Sequence, residues 1–151
     1  MKWITRERPK IDRIACPCVV ARFIDDAPEF LYVPAGDVAR IDAETGATPY
    51  DVPNVELGHH GDQCSFDAFI AKYGLKDHAL DKLALIVRAA DAGATELAKE
   101  AAGLLAISRG LSMSFGNDHE MLAHDMVIYD ALYATCAQAP LRTPGRVLGN
   151  R

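Results

Sequence analysis

The stretch Glu56-Leu57-Gly58-His59-His60-Gly61-Asp62-Gln63-Cys64 sets two adjacent imidazoles, carboxylates and a thiol around a pair of glycines. Imidazole, carboxylate and thiolate are the side chains that bind transition metals, and glycine lets a backbone fold tightly around an ion. Two later positions extend this donor set. Asp91 continues the stripe Leu80, Leu83, Ala84, Val87, which is one face of a helix, so its carboxylate falls on the buried side and needs a partner, a hydrogen bond or a metal. The alternative there is a C-terminal turn that returns Asp91 to water, helped by Gly93. His119 heads the series Leu122, Met126, Tyr129, Tyr133, Cys136, which steps by threes and fours and places it on a core seam. The expected ligands are therefore His59, His60, Asp91 and His119, with His124 and Glu56 as further candidates. His124 lies roughly 140° around the helix from His119, so a straight helix does not offer both to one ion.

Nitrogen and oxygen donors without several thiolates favour a divalent transition metal, whether zinc, iron or manganese, and the sequence does not choose among them. Three protein ligands would leave a position open for water or a substrate. No strict spacing such as His-Glu-x-x-His is present, and the plain alternative is a polar loop whose histidines cap the next helix. Two other chemistries compete with the metal. Cys16, near a helix start and beside Arg13, is a redox candidate with Cys64, although Cys16 and Cys18 lack the two-residue spacing of a thioredoxin-type pair. Arg6, Arg13 and Arg22 offer forked donors to a small oxyanion, or they pair with Asp12, Asp25 and Asp26 as ordinary ion pairs.

The elements that must position these groups are mostly helical. Residues 1–9 read as extended and end at Pro9. Asp12 is a plausible N-cap for a helix to about Asp25, which Pro17 either kinks or postpones to Cys16. Glu29 to Val33 is the clearest strand, aromatic and β-branched and closed by Pro34. Asp37 to Glu44 predicts a short helix, and Thr48 to Val55, interrupted by Pro49 and Pro53, predicts a sheet edge or loop. From Ser65 onward helices follow one another. The first ends at Gly74, the second opens at Asp77, a third runs from a Thr95 cap to about Ser108 and stops at Gly110, and a long one from Asn117 or Asp118 reaches about Cys136. The expected fold is α+β and predominantly helical, with five or six helices and a small β element near the N-terminal half. A single domain over 1–138 and a disordered tail over 139–151, rich in proline and glycine, complete the reading.

At 151 residues with half of them hydrophobic, the chain can bury a full core without disulfides. No apolar run of about 18 residues is present and the start is charged, which predicts a cytoplasmic protein without a membrane span and with its four cysteines reduced. The net charge of −5 conceals a basic segment, residues 1–22, which carries six Lys or Arg against two acids. That segment faces an acidic body or a small anion, and no helix-turn-helix signature or basic helix suggests nucleic acid. The sequence does not indicate an oligomeric state.

Several blocks carry a family likeness. Trp3-Ile4-Thr5-Arg6, Lys10-Ile11-Asp12-Arg13-Ile14-Ala15-Cys16-Pro17, Arg22-Phe23-Ile24-Asp25, Glu29 to Pro34, Glu56 to Gly61 with Cys64-Ser65-Phe66, Leu85 to Arg88 with Ala90-Asp91, Asp118-His119 with His124, and Tyr129 to Tyr133 resemble the C-terminal domain of the ChrB chromate resistance proteins. The resemblance runs from about Trp3 to Cys136. It implies a part in chromate response or detoxification, with chromate as a possible small-molecule partner. Full-length ChrB proteins look like regulators with an N-terminal region, so DNA binding is not carried over to these residues. The family usually has tryptophan after Cys16-Pro17, where this chain has Cys18.

Overall fold

The computed structural model describes residues 1–139, so the tail expected at 139–151 lies, apart from Ala139, outside the described residues. Strand β1 (Lys2–Arg6) is central in a three-stranded parallel sheet of order β2-β1-β3, flanked by β2 (Glu29–Val33) and the two-residue β3 (Thr48–Pro49). A parallel strand covered on both faces reads as a continuous apolar run, and Trp3, Ile4 and Thr5 are fully buried. Trp3 joins the main core with Phe69 and Tyr50, whereas Ile4 faces a small second core with Val38 and Ala47. The expected small β element in a predominantly helical α+β domain is thus present.

Helix α1 (Asp12–Val19) differs from the expected Asp12 N-cap: Asp12 is its first helical residue, Ile11 holds the cap position without a side-chain hydrogen bond, and Pro17 sits inside the helix without ending it. The proline ring removes the N–H that would bond the carbonyl of Arg13. That orphaned oxygen instead accepts the Tyr50 hydroxyl at 3.3 Å. The helix then widens into a π turn, Val20–Ile24, closed by Asp25 N–H on the Val20 carbonyl at 2.9 Å. The neighbouring helices are α2 (Val38–Thr45), α3 (Ser65–Lys72) and α4 (His78–Asp91). Asp77 caps α4, with its carboxylate accepting from Ala79 and Leu80 as the sequence predicts.

Two boundaries differ from expectation. Thr95–Leu97 forms only a 3-10 turn, and helix α5 (Ala101–Ser114) starts later and continues through Gly110. A glycine costs a helix only about 1 kcal/mol, and α5 offsets this by burying Ala101, Leu104, Ser108 and Ser112. Helix α6 (Asp118–Ala137) is capped by Asn117 as expected, but its buried face is Met121, Leu122, Asp125 and Tyr129. His119 is therefore exposed and does not head the core seam. Among the described residues no helix is long and apolar enough to cross a membrane.

Candidate metal centre

Asp12 is the buried floor of the site. It is the first residue of α1, yet its carboxylate turns away from that helix and caps another 53 residues along the chain. Ser65 N–H donates to Oδ2 at 2.6 Å and Phe66 N–H to Oδ1 at 2.9 Å, so Asp12 meets two of the orphan donors at the start of α3. Its burial is complete. A buried carboxylate held by backbone N–H groups stays in register because moving it would strand those donors.

The loop between β3 and α3 brings a second carboxylate and the imidazole. Asp51, with φ at 47°, turns back so that its Oδ1 accepts the Ser65 hydroxyl at 2.9 Å. Gly58 lets this loop close: a Cβ there would stand 3.0 Å from the Val52 carbonyl oxygen and 3.1 Å from that of Val55. The next residue, His59, then points inward. Its Nε2 lies 3.3 Å from Asp12 Oδ2, 3.1 Å from Asp51 Oδ1 and 3.3 Å from Asp91 Oδ2. Asp91 is the last residue of α4 and is exposed there, as the helix-end alternative expects and not the buried stripe, yet its carboxylate still reaches the cluster from that helix end. Asp12, His59 and Asp91 each offer a ligand atom within 4.8 Å of the others.

Three carboxylates around one imidazole shape the local electrostatics. The hydrogen bond to Asp12, reinforced by the charges of Asp51 and Asp91, raises the His59 pKa to about 9. Burial, then the charge of Asp12, raises Asp51 to about 6, opposed by the Ser65 hydroxyl and His59. Asp91 is raised by the same two causes. Above the cluster opens a cavity of about 320 Å³ whose walls include Arg6, Lys10 and Arg13.

The family model for the ChrB C-terminal domain matches residues 3–136. The chain belongs to the ChrB C-terminal domain family. Protein ChrB of Cupriavidus metallidurans is 32% identical over 133 residues, which cover 87% of this chain and 40% of that relative. The ChrB domain described here therefore spans well under half the length of that protein. No solved structure matches the chain.

Of the expected ligands, the ChrB fold gathers His59 and Asp91 and seats the others elsewhere. His60 turns its Nε2 to the Glu56 carbonyl at 2.7 Å, and the Glu56 carboxylate pairs with Lys72 at 2.6 Å. His119 packs edge-on against Tyr32 with ring centroids 5.2 Å apart, and His124 stacks on Phe115 at 4.7 Å. Neighbouring loop residues point to different sides, and both α6 histidines lie off the buried face of that helix, so neither pair converges. The residues that sequence reasoning misses are Asp12, whose position predicts only an N-cap, and Asp51, which falls in the segment that predicts a sheet edge or loop. Their only signal was an acid inside otherwise apolar or proline-bounded surroundings.

The thiol and arginine expectations also change. Cys16 lies in mid-helix, fully buried, and burial followed by the charge of Asp12 pushes its pKa up where a helix N-terminus would lower it. Burial, and then Asp12, likewise raises Cys64. Arg22 is taken by a two-pronged ion pair with Asp130, at 2.9 and 2.7 Å, and belongs to another face. Arg6 and Arg13 both lean on Asp51 Oδ2, at 3.7 and 3.5 Å, beside the cavity.

Proposed function

We propose that this domain binds a divalent transition metal through His59, Asp12 and Asp91, with Asp51 alongside, and acts in chromate response or detoxification. One observation carries the reading: a single imidazole nitrogen stands 3.1 to 3.3 Å from carboxylate oxygens supplied by three separate parts of the chain. Ligands about 2.1 Å from a tetrahedral ion are spaced by roughly 3.4 Å, so little movement is needed to accept one. Asp12 is prepared for that role because its backbone hydrogen bonds fix it whether or not an ion is bound. The mixed nitrogen and oxygen donors suit zinc, iron or manganese.

A bound ion would supply positive charge and Lewis acidity at the base of the cavity. The chain's own residues orient it. Ser65 fixes both acids, through its N–H on Asp12 and its hydroxyl on Asp51. The open side faces solvent, where a small anion such as chromate, the partner that the family context suggests, has access.

One observation favours a second reading. With a pKa raised to about 9, His59 carries a proton in metal-free protein at neutral pH and neutralises part of the acidic cluster as a plain ion-pair hub. Elemental analysis of purified protein separates the two. The metal reading expects about one equivalent of zinc, iron or manganese, lost on His59→Ala or Asp91→Asn and kept on His119→Ala. Protein that takes up none of these ions after reconstitution, or holds them equally well without His59, sinks it.

A further inference from the structure

We infer that the outer edge of β2 is a dimerisation surface, on which a second copy of this chain pairs its own β2 in antiparallel fashion across a two-fold axis at Leu31. The inference does not rest on the metal reading, and it concerns a different face of the domain.

The backbone of β2 sets the geometry. Glu29 N–H donates to the Met1 carbonyl at 2.9 Å and the Val33 carbonyl accepts from Glu7 N–H at 2.8 Å, so both ends of the strand turn their backbone groups towards β1. Directions alternate along a strand. Leu31 therefore faces β1 as well, while Phe30 and Tyr32 point their N–H and C=O groups to the outer edge. None of those groups has a hydrogen-bond partner among the described residues. β2 is the end strand of the sheet, and β1 is the one described element against which it packs extensively.

The two edges of the sheet are built differently. β3 is guarded as edge strands usually are: it is two residues long, and the second is Pro49, which has no N–H to offer a neighbour. β2 carries no such guard. It is five residues long, pairs with β1 in unbroken register, contains no proline, and keeps its one charge, Glu29, at its end. An edge of this kind is a template for another strand.

The pattern of this edge fits a second copy of itself. In antiparallel pairs, residues directly opposite one another exchange both N–H to C=O bonds at every second position. With Leu31 on the axis, Phe30 lies opposite Tyr32 of the second copy, and the free groups of each meet the free groups of the other. The same register sets Glu29 opposite Val33, so the two acids stand at opposite ends and no like charges meet. It sets aromatic against aromatic on the face of the main core and Leu31 against Leu31 on the face of the smaller one, where these side chains are only partly buried in a single copy. The combined sheet would run from β3 to β3, with Pro49 closing both ends, so pairing stops at a symmetric dimer. A five-residue stretch buries less than the roughly 800 Å² per partner of a standard interface, which makes the dimer weak and dependent on concentration.

Sedimentation analysis and amide hydrogen exchange on the full chain, across protein concentrations up to about 1 mM, test the surface. The protein should pass from monomer to dimer, and the Phe30 and Tyr32 amides should gain protection in step. Tyr32→Pro removes an outward N–H and leaves the ladder to β1 intact, so it should weaken dimerisation roughly tenfold or more. Tyr32→Val loses the same side chain but keeps the N–H, and it should dimerise more tightly than Tyr32→Pro. Should Tyr32→Pro fail to fold, hydrogen exchange on the unaltered protein still decides. A protein that stays monomeric throughout overturns the inference. So does full protection of Phe30 and Tyr32 in the monomer, because the chain itself would then cover the edge. A dimer that forms equally well in Tyr32→Pro, or without protecting these amides, also overturns it and moves the interface to another surface, such as the outer face of α5 with its exposed Ile107 and Met113.

Discussion

Asp125 gives the sharpest test of how burial governs charge in this domain. It sits on the inner face of α6, 2% exposed, and its Oδ2 has no hydrogen-bond partner among the described residues. Burial alone raises its pKa from 3.8 to about 6. An acid whose native pKa lies above its unfolded one binds more protons when folded, so its penalty is absent below the unfolded value. The penalty grows as pH rises between the two values and is complete above about 6. The difference of 2.2 units, 6 less 3.8, corresponds to about 3 kcal/mol at neutral pH. Asp125→Asn removes the charge and keeps the shape, but it buries an amide that itself lacks partners and costs about 1–2 kcal/mol. The net expectation is a gain of about 1–2 kcal/mol at pH 7.5, worth a few degrees in Tm for a chain of this size. That advantage should shrink by about 2 kcal/mol towards pH 4, where the folded acid is protonated and the unfolded one is beginning to follow, while the amide cost remains. Urea denaturation of both proteins across this range measures it. A variant less stable than the parent at pH 7.5, or a difference that ignores pH, would refute the reasoning, because the carboxylate would then have a compensating partner.

Further outcomes follow from the site and its surroundings. In metal-free protein the His59 imidazole should titrate near 9, so that a proton competes for Nε2 below that pH. Zinc affinity should then rise about tenfold per pH unit up to that value, which proton-release calorimetry checks; a flat profile would exclude His59 as a ligand. Arg22→Ala should cost about 2 kcal/mol by stranding Asp130 while leaving metal uptake unchanged, measured by denaturation and elemental analysis in parallel. Cys16 and Cys64, buried and with raised pKa values, should resist iodoacetamide in the native state, whereas the partly exposed Cys136 should react first. Rapid native-state alkylation of Cys16, followed by mass spectrometry, would reopen a thiol role.

Short-range physics made much of this protein readable from its sequence. Glu29 to Val33 is a strand because β-branched and aromatic residues fit a pleated surface, and Asp77 and Asn117 start helices because their side chains reach the first free N–H groups. The same local rules put His59 in a glycine-bounded turn and Asp91 at a helix end, and both lie in the cluster. Contacts between distant parts of the chain settled the rest. Asp12 has the pattern of a local cap, but the start of α3 offers it two donors 53 and 54 residues away. His119 fits a heptad-like seam, yet which side of α6 is covered depends on how α1, α4 and α5 pack against it, and that packing left the imidazole outside. Local pattern fixes which residues can lie on one face; only the tertiary fold decides which face is buried and which acids meet one imidazole.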